Sequence, residues 1–245
     1  MTAPWILGVV VGATGLCLGS FVTTAAIRAA AGQPWTSGRS HCDNCGRGLS
    51  YLATVPVASY AAFGGACTGC GSRIDALHPI GEICAAAIAL GAVGVLGLPR
   101  ALIAAPLGLI LLASAVFDSK TQRLPDALTA IAAMLCAALT FTGGPGPIWQ
   151  GLLASAVALV GLELMRRGFA AVRGRSGLGF GDVKLIAAGA LWLGPATLWA
   201  VTLAACAGLA GVALSRPRPA RIAFGPYLAA SIFVVGLARE AHPWP

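Results

Sequence analysis

Residues 102–117 read LIAAPLGLILLASAVF, a run without a single charge, and Asp118 follows it directly. A helix that crosses the hydrocarbon core of a membrane needs about 20 mainly apolar residues. The whole chain of 245 residues shares this character, being 58% hydrophobic and only 10% charged, with a mean hydropathy of +0.84. Soluble domains carry roughly 25% charged residues. The composition therefore predicts an all-α polytopic membrane protein.

Seven further apolar runs lie on either side of this stretch, and turn residues such as Gly143, Gly144 and Pro145 separate them. The first run lacks a basic leading region and an Ala-x-Ala cleavage site, so it is interpreted as a spanning helix and not as a signal peptide. The prediction is about eight transmembrane helices, over residues 5–27, 80–98, 102–117, 127–141, 148–165, 183–193, 196–214 and 222–237.

Lysine and arginine fix the expected orientation, because cytoplasmic loops carry an excess of them. If the N-terminus is outside, fourteen of the sixteen basic residues fall on the cytoplasmic side, leaving only Arg100 and Arg239 outside. The C-terminus is then outside as well. The net charge of +8 is explained by this topology, so no nucleic-acid partner is predicted.

The polar segment between the first two spans contains two C-x-x-C units, Cys42 to Cys45 and Cys67 to Cys70. This spacing is typical of a tetrahedral Cys₄ zinc site of structural type. Two disulfides are the alternative, which a reducing cytoplasm disfavours. The predicted division is a first helix over 1–28, a cytoplasmic Cys₄ module over 29–79 and a membrane core over 80–245. The remaining cysteines lie in apolar runs and are expected to be buried: Cys17, Cys84, Cys136 and Cys206.

Two of the eight acidic residues stand out by position. Asp118 ends the third predicted span, and Asp182 opens the sixth in the sequence GFGDVK, residues 179–184. The predicted topology places both carboxyl groups at the cytoplasmic face, on different helices. In such a pair one ionised carboxylate can draw a proton from water while the other, protonated, binds a carbonyl oxygen. The alternative is a pair of solvated helix ends.

The other carboxyl groups have simpler interpretations. Asp126 follows Pro125 and is expected to cap the fourth span. Glu163 is expected to pair with Arg166 or Arg167, one turn further along the helix. Glu82, at the inner end of the second span, is interpreted either as an acidic contact for a basic peptide or as the partner of an arginine such as Arg73.

The order of these motifs resembles that of the bacterial type IV prepilin peptidases, over nearly the whole chain. The G-x-G-D at 179–182 resembles that of intramembrane aspartic proteases in general, and the four-cysteine loop makes the likeness specific. Further matches are Asp118 with Leu124-Pro125-Asp126, Gly19-Ser20-Phe21, Arg39-Ser40-His41-Cys42, Pro79 with Glu82, and Phe224-Gly225-Pro226-Tyr227.

The resemblance implies an enzyme of the bacterial inner membrane. It would cleave the basic leader from prepilins or pseudopilins at the cytoplasmic face, with Asp118 and Asp182 as the catalytic pair in the core over 80–245. It would then methylate the new α-amino group with S-adenosylmethionine. The family's four cysteines map onto Cys42, Cys45, Cys67 and Cys70. S-adenosylmethionine binding is implied by resemblance alone, since no glycine-rich nucleotide loop follows a strand.

Two other classes of protein remain open from the residues. A transporter or channel would also have many spans and a few membrane carboxylates, but it favours charges near the midplane and broken helices there. A zinc-knuckle scaffold without catalysis is the third reading. The sequence indicates contact with membrane lipid and carries no signal for an oligomeric state.

Overall fold

The computed structural model describes residues 4–35, 40–143, 146–174, 177–215 and 222–242. Over these ranges the chain is helical and forms no strand beyond two isolated bridges. Some of the predictions fall outside the described residues. These are the turn at Gly144 and Pro145, the family match at Arg39, and the basic residues Arg175, Arg216, Arg218 and Arg221. The helices are α1 Pro4–Ala30, α2 Ala58–Ala62, α3 Leu77–Thr121, α4 Asp126–Phe141, α5 Ile148–Arg173, α6 Phe180–Leu193, α7 Thr197–Leu214 and α8 Gly225–Ala241.

Helix α3 contains a break. Its 45 residues would form a rod of about 68 Å, more than twice the roughly 30 Å hydrocarbon core of a bilayer. Gly97 interrupts it, with φ 70° and ψ 166°, a conformation that a side chain would strain. Pro99 follows, at a position suited to the first turn of a new helix. The predicted runs 80–98 and 102–117 correspond to the two parts of α3.

All eight predicted apolar runs fall on helices, so the all-α architecture is confirmed. Within the described residues, four helical stretches are long and apolar enough to cross a membrane: Trp5–Ala30, Leu77–Thr121, Ile148–Arg173 and Phe180–Leu214. The last is interrupted by the short turn Gly194–Ala196. Helix α6 alone, with 14 residues, is only about 21 Å long. Eight separate spans therefore stay a prediction.

The chain folds as two compact units, Met1–Leu90 and Gly91–Pro245. In the first, α1 packs closely on the beginning of α3 through small residues. A Cβ atom on Gly15 would lie 2.7 Å from the Ala86 Cα atom, and one on Gly19 would lie 2.9 Å from the Glu82 Cα atom. Such small residues let the backbones of membrane helices approach. The predicted three-part division remains a proposal.

In the second unit α6 is the central helix, and most of its residues are buried. It packs against α4, α5 and α8. Helices α4 and α6 run parallel, because Asp126 pairs with Lys184 at their beginnings and the Thr140 hydroxyl donates to the Leu191 carbonyl oxygen at their ends (2.8 Å).

Helix α8 is parallel to α6, and the 98–121 segment of α3 is antiparallel to both. The Trp192 indole donates to Glu240 near the ends of α6 and α8 (2.9 Å). Arg100, near the beginning of the 98–121 segment, reaches the same Glu240 (2.6 Å). The C-terminus of α3 and the N-termini of α4, α6 and α8 therefore meet at one end of this unit.

The expectation that all four cysteines in apolar runs are buried is wrong for three of them. Cys136 is buried, whereas Cys17, Cys84 and Cys206 lie on exposed helix faces. The physical reason is that a small apolar side chain is as well solvated by lipid as by a protein core. An apolar run therefore does not distinguish the two faces of a spanning helix.

Candidate active site and metal centre

Asp118 lies buried near the C-terminus of α3, with 5% of its surface exposed. Its Oδ2 atom accepts a hydrogen bond from the backbone N–H of Gly225, at 2.9 Å. Gly225 is the first residue of α8, so its N–H has no partner within the helix. The positive end of the α8 dipole thus faces the carboxyl group. The sequence offered Gly225 only as part of a matching motif and gave no role for it.

The space beside Asp118 also requires a glycine at position 225. A Cβ atom at this position would lie 2.7 Å from the Asp118 Oδ2 atom and 2.9 Å from both its Cβ and Cγ atoms. Contacts this short are not tolerated, so any other residue displaces the carboxyl group or the start of α8.

Asp182 lies in the first turn of α6, which begins at Phe180. Its carboxyl group folds back over Gly179, where a Cβ atom would lie 2.8 Å from Oδ2. A Cβ atom on Gly181 would lie 2.9 Å from the Leu124 Cβ atom. Both glycines therefore permit a close approach, by the aspartate itself at Gly179 and by the α3–α4 loop at Gly181.

The structure brings the two aspartates together at one end of the second unit. Asp118 reaches this end on α3 and Asp182 on α6, and their negative charges interact electrostatically. One carboxyl group is buried and the other is partly exposed. A neighbouring pair with unequal access to water is suited to general acid–base chemistry.

Around the pair, one sequence prediction is wrong and one is confirmed. Asp126 is not a helix cap: α4 has Pro125 at that position with no side-chain cap bond, and Asp126 pairs with Lys184 instead. Glu163 does pair with both Arg166 (2.7 Å) and Arg167 (2.6 Å).

The opposite end of the same helices is held by a buried polar network. Arg100 donates to both carboxylate oxygens of Glu240, at 2.6 and 2.7 Å, and to the Leu139 carbonyl oxygen at 3.2 Å. Trp192 donates to the same carboxylate. Arg239 donates to the Leu193 carbonyl oxygen at 2.5 Å, at the C-terminus of α6. The network joins the three elements that place Asp118, Asp182 and Gly225.

In the first unit the four predicted cysteine ligands form one cluster. Their Sγ atoms all lie within 4.8 Å of one another, and those of Cys42 and Cys70 are 3.9 Å apart. Thiolates around a tetrahedral zinc ion at about 2.3 Å are separated by roughly 3.8 Å. All eight cysteines of the chain are free, so the disulfide alternative is not found. The cluster can hold a metal ion.

Two knuckles of the same design present these thiols. The Cys42 N–H donates to the Arg47 carbonyl oxygen, and the Cys67 N–H donates to the Ser72 carbonyl oxygen, both at 2.9 Å. Each knuckle is flanked by an isolated antiparallel bridge. The repeated geometry turns two sulfur atoms from each knuckle toward one point.

Glycine makes the two tight turns possible. Gly46 and Gly71 have φ angles of 70° and 71°, which side chains disfavour. Gly69 does not adopt a positive φ. It lies against the Arg47 side chain, whose Cδ atom would be 2.8 Å from an added Cβ atom.

Two of the thiols differ strongly in acidity when no metal is bound. The Ser72 backbone N–H, followed by the Asn44 amide, stabilises the Cys70 thiolate and lowers the pKa of Cys70 to about 6. The Arg47 N–H has the same effect on Cys45, but the adjacent thiols, Cys70 foremost, and burial outweigh it and raise the pKa of Cys45 to about 11.

Among the described residues Glu82 pairs with no arginine, and its contact with a basic peptide stays a prediction. It is buried, 6% exposed, and its Oε2 atom accepts a hydrogen bond from the Val57 N–H at 2.7 Å. Val57 has φ 61°, a strained conformation for a β-branched residue. Glu82 therefore anchors the loop before α2, and it also lines a cavity of about 540 Å³ in this unit.

The chain combines membrane-length helices, two neighbouring aspartates and a four-cysteine cluster. Together these features define a narrow class of protein. Comparison with known proteins places the chain within it. Residues 13–95 match the bacterial peptidase A24 N-terminal domain, and residues 105–215 match the type IV leader peptidase family. The chain belongs to the type IV leader peptidase family.

Several curated relatives carry the name prepilin leader peptidase/N-methyltransferase. The chain is 35% identical to one from Burkholderia pseudomallei (strain 1026b), over 78% of this chain and 64% of the relative. It is 32% identical to one from Pseudomonas putida, over 78% of this chain and 68% of the relative. The chain thus spans less than two thirds of the length of the Burkholderia relative. No solved structure matches.

Proposed function

We propose that this protein is an aspartic endopeptidase of the bacterial inner membrane that removes the leader peptide from prepilins or pseudopilins. The observation that carries the proposal is the meeting of Asp118 and Asp182 at one end of a membrane-type helical unit. Family membership supplies the substrate class, since the relatives are named for prepilin leader cleavage.

The chemistry follows from the pair. Because the two negative charges repel each other, the arrangement favours one ionised and one protonated carboxyl group. The ionised member takes a proton from water as the water attacks the scissile carbonyl carbon. The protonated member donates a hydrogen bond to the carbonyl oxygen, and the amide nitrogen leaves with a proton. The Gly225 N–H holds Asp118 in place throughout.

The proposed setting is a multi-pass protein with eight spans, both termini outside and the aspartates near the cytoplasmic face. Large apolar side chains cover the exposed faces of α1, α5 and α7, among them Trp5, Trp149 and Trp199. These faces are suited to lipid. The substrate's apolar helix would reach the aspartates from within the bilayer.

We further propose a structural zinc ion at Cys42, Cys45, Cys67 and Cys70, because the four sulfur atoms lie within 4.8 Å of one another and four thiolates suit a tetrahedral zinc ion. A second activity, N-methylation of the new α-amino group, is supported by the names of the relatives. S-adenosylmethionine supplies the methyl group for such a reaction. No observation favours a transporter or channel.

The test is co-expression with a prepilin, with the processed form detected by mass spectrometry. The wild-type chain is expected to remove the leader, and Asp118→Asn and Asp182→Asn are each expected to abolish removal. The matched control is Asp126→Asn, which makes the same chemical change at the same end of the unit. Its carboxyl group is 81% exposed and paired with Lys184, so cleavage should persist. Processing by both Asp118→Asn and Asp182→Asn would refute the assignment.

A further inference from the structure

The cavity in the first unit contains two buried residues of opposite charge. Its volume of about 540 Å³ falls within the roughly 300–1,000 Å³ of small-molecule sites. Arg28, in the last turn of α1, is 7% exposed and Glu82 is 6% exposed, and both line the cavity. Charged groups at this depth are costly unless they are paired.

Their protein partners compensate these charges only in part. The Arg28 guanidinium lies 3.3 Å from His41 Nδ1 and 4.0 Å from an Asp43 carboxylate oxygen, the outer limit of an ion pair. Within the part of the chain that the structure describes, its Nε atom has no hydrogen-bond partner. The hydrogen bond that Glu82 accepts from Val57 comes from a neutral donor. Over the described residues, no ion pair joins Arg28 to Glu82.

The rest of the cavity wall mixes polar and apolar side chains, and its other aspartate and arginine residues, Asp43, Arg73 and Asp75, are exposed. Tyr60, Leu49 and Ile74 contribute aromatic and aliphatic surface to it. The cavity therefore presents a guanidinium group, a carboxylate group and apolar surface to a single ligand. A ligand that matches it carries an anionic group, a cationic group and a flat ring system.

We propose that this cavity binds the α-amino acid end of S-adenosylmethionine, with Arg28 holding the carboxylate and Glu82 holding the ammonium group. The apolar wall would take the adenosine end. The donor set fits the group, because the two buried charges complement those of an amino acid zwitterion. This inference rests on the proposed methyl transfer and gives it a site within residues 20–82.

The test is calorimetric binding to the purified full-length protein with its zinc, using three probes. S-adenosylhomocysteine carries both ends, methylthioadenosine lacks the amino acid end, and methionine lacks the nucleoside. The wild type is expected to bind S-adenosylhomocysteine about tenfold or more tightly than either fragment. Arg28→Gln and Glu82→Gln should each weaken S-adenosylhomocysteine binding about tenfold and leave methylthioadenosine binding unchanged.

Matched controls separate binding from folding. Arg173→Gln makes the same change as Arg28→Gln on an exposed side chain at the end of α5 that does not line the cavity, and it should bind all probes normally. Glu82→Gln keeps an oxygen for the Val57 N–H. Arg28→Lys keeps the charge and should lose less affinity than Arg28→Gln. Unchanged zinc content in every variant reports a folded module.

Three outcomes would overturn the inference. These are equal weakening of S-adenosylhomocysteine and methylthioadenosine by Arg28→Gln, no binding of S-adenosylhomocysteine by the wild type, and methionine binding as tightly as S-adenosylhomocysteine. The last would identify a free amino acid as the ligand. Leader cleavage by the wild type is measured separately, with Asp118→Asn as the inactive control. A wild type that cleaves the leader but does not bind S-adenosylhomocysteine would refute this binding site alone. A wild type that binds S-adenosylhomocysteine but does not cleave the leader would refute the peptidase proposal alone.

Discussion

Asp118 accepts a hydrogen bond from the backbone N–H of Gly225, 107 positions further along the chain. The contact combines two requirements that only glycine meets at this position. The N–H must be the unpaired first donor of a helix, and the Cα atom must come so close to the carboxyl group that no side chain fits. The catalytic proposal therefore depends on a residue that carries no chemistry of its own.

Gly225→Ala is expected to lower the rate of leader cleavage about 100-fold, since a displacement of about 1 Å of a catalytic group can cost this much. The added methyl group would lie 2.7 Å from the Asp118 Oδ2 atom. Initial rates on a purified prepilin in detergent measure the effect.

Gly161→Ala is the control for that substitution. It lies in α5, where an added Cβ atom would meet nothing within 4 Å, and alanine favours a helix. Its cleavage rate should equal that of the wild type. A Gly225→Ala protein of full activity would show that the Asp118 geometry is not needed for cleavage.

The metal cluster makes a second prediction at the scale of residues. In metal-free protein at pH 7, Cys70 is mostly thiolate because its pKa is lowered to about 6, whereas Cys45 is almost wholly thiol because its pKa is raised to about 11. Iodoacetamide should therefore modify Cys70 before Cys45. Raising the pH to 9 should strongly accelerate the alkylation of Cys45 and change that of Cys70 very little. Peptide mass spectrometry measures both rates.

Zinc-loaded protein is the control for the alkylation series, and in it both thiols should be protected. If Cys45 reacted as fast as Cys70 at pH 7 in the metal-free protein, the hydrogen bonds around the two knuckles would not be those described. If zinc gave no protection, the four sulfur atoms would not be its ligands.

At the scale of elements, the network of Arg100, Glu240 and Trp192 fixes three helices against each other at the end opposite the aspartates. Glu240 is deeply buried, with 6% of its side chain exposed, and Arg100 has 20% exposed. Removing one partner of a buried ion pair leaves the other charge uncompensated. Glu240→Ala is therefore expected to lower the free energy of unfolding by about 3–5 kcal/mol, measured by thermal or denaturant unfolding in detergent.

The double variant Arg100→Met with Glu240→Leu tests the cause of this loss. Apolar residues of similar volume can replace a buried ion pair at little cost, so the double variant should be more stable than Glu240→Ala alone. The opposite order would mean that the network stabilises by its hydrogen bonds to Trp192 and Leu139 and not by cancelling the charge of Arg100.

These elements also show what the sequence can predict. Apolar runs locate the helices because length and composition are local properties, and the motif order locates Asp118, Asp182 and the four cysteines. The partners of these residues depend on packing between distant segments. For this reason the Gly225 donor, the Lys184 partner of Asp126 and the burial of Glu82 were not predicted. The exposed positions of Cys17 and Cys206 were missed because an apolar run does not show which of its residues face the protein core.

At the scale of the whole molecule, the peptidase proposal requires that Asp118 and Asp182 lie on the same side of the membrane. This follows if the helix pair 127–141 and 148–165 crosses twice between them. Eight spans then place residues 98, 143, 194 and 242 outside, and 122, 174 and 215 inside. Alkaline phosphatase fusions should be active at the first set and green fluorescent protein fusions bright at the second.

The fusion at residue 98 is decisive for the number of spans, because it lies beside the Gly97 break. An active phosphatase there means that α3 crosses the membrane twice, and an inactive one means that it does not. The fusions at 122 and 174 test function instead. If they reported opposite sides, the two aspartates could not act on one peptide bond, and the proposed cleavage would fail even with the helical fold intact.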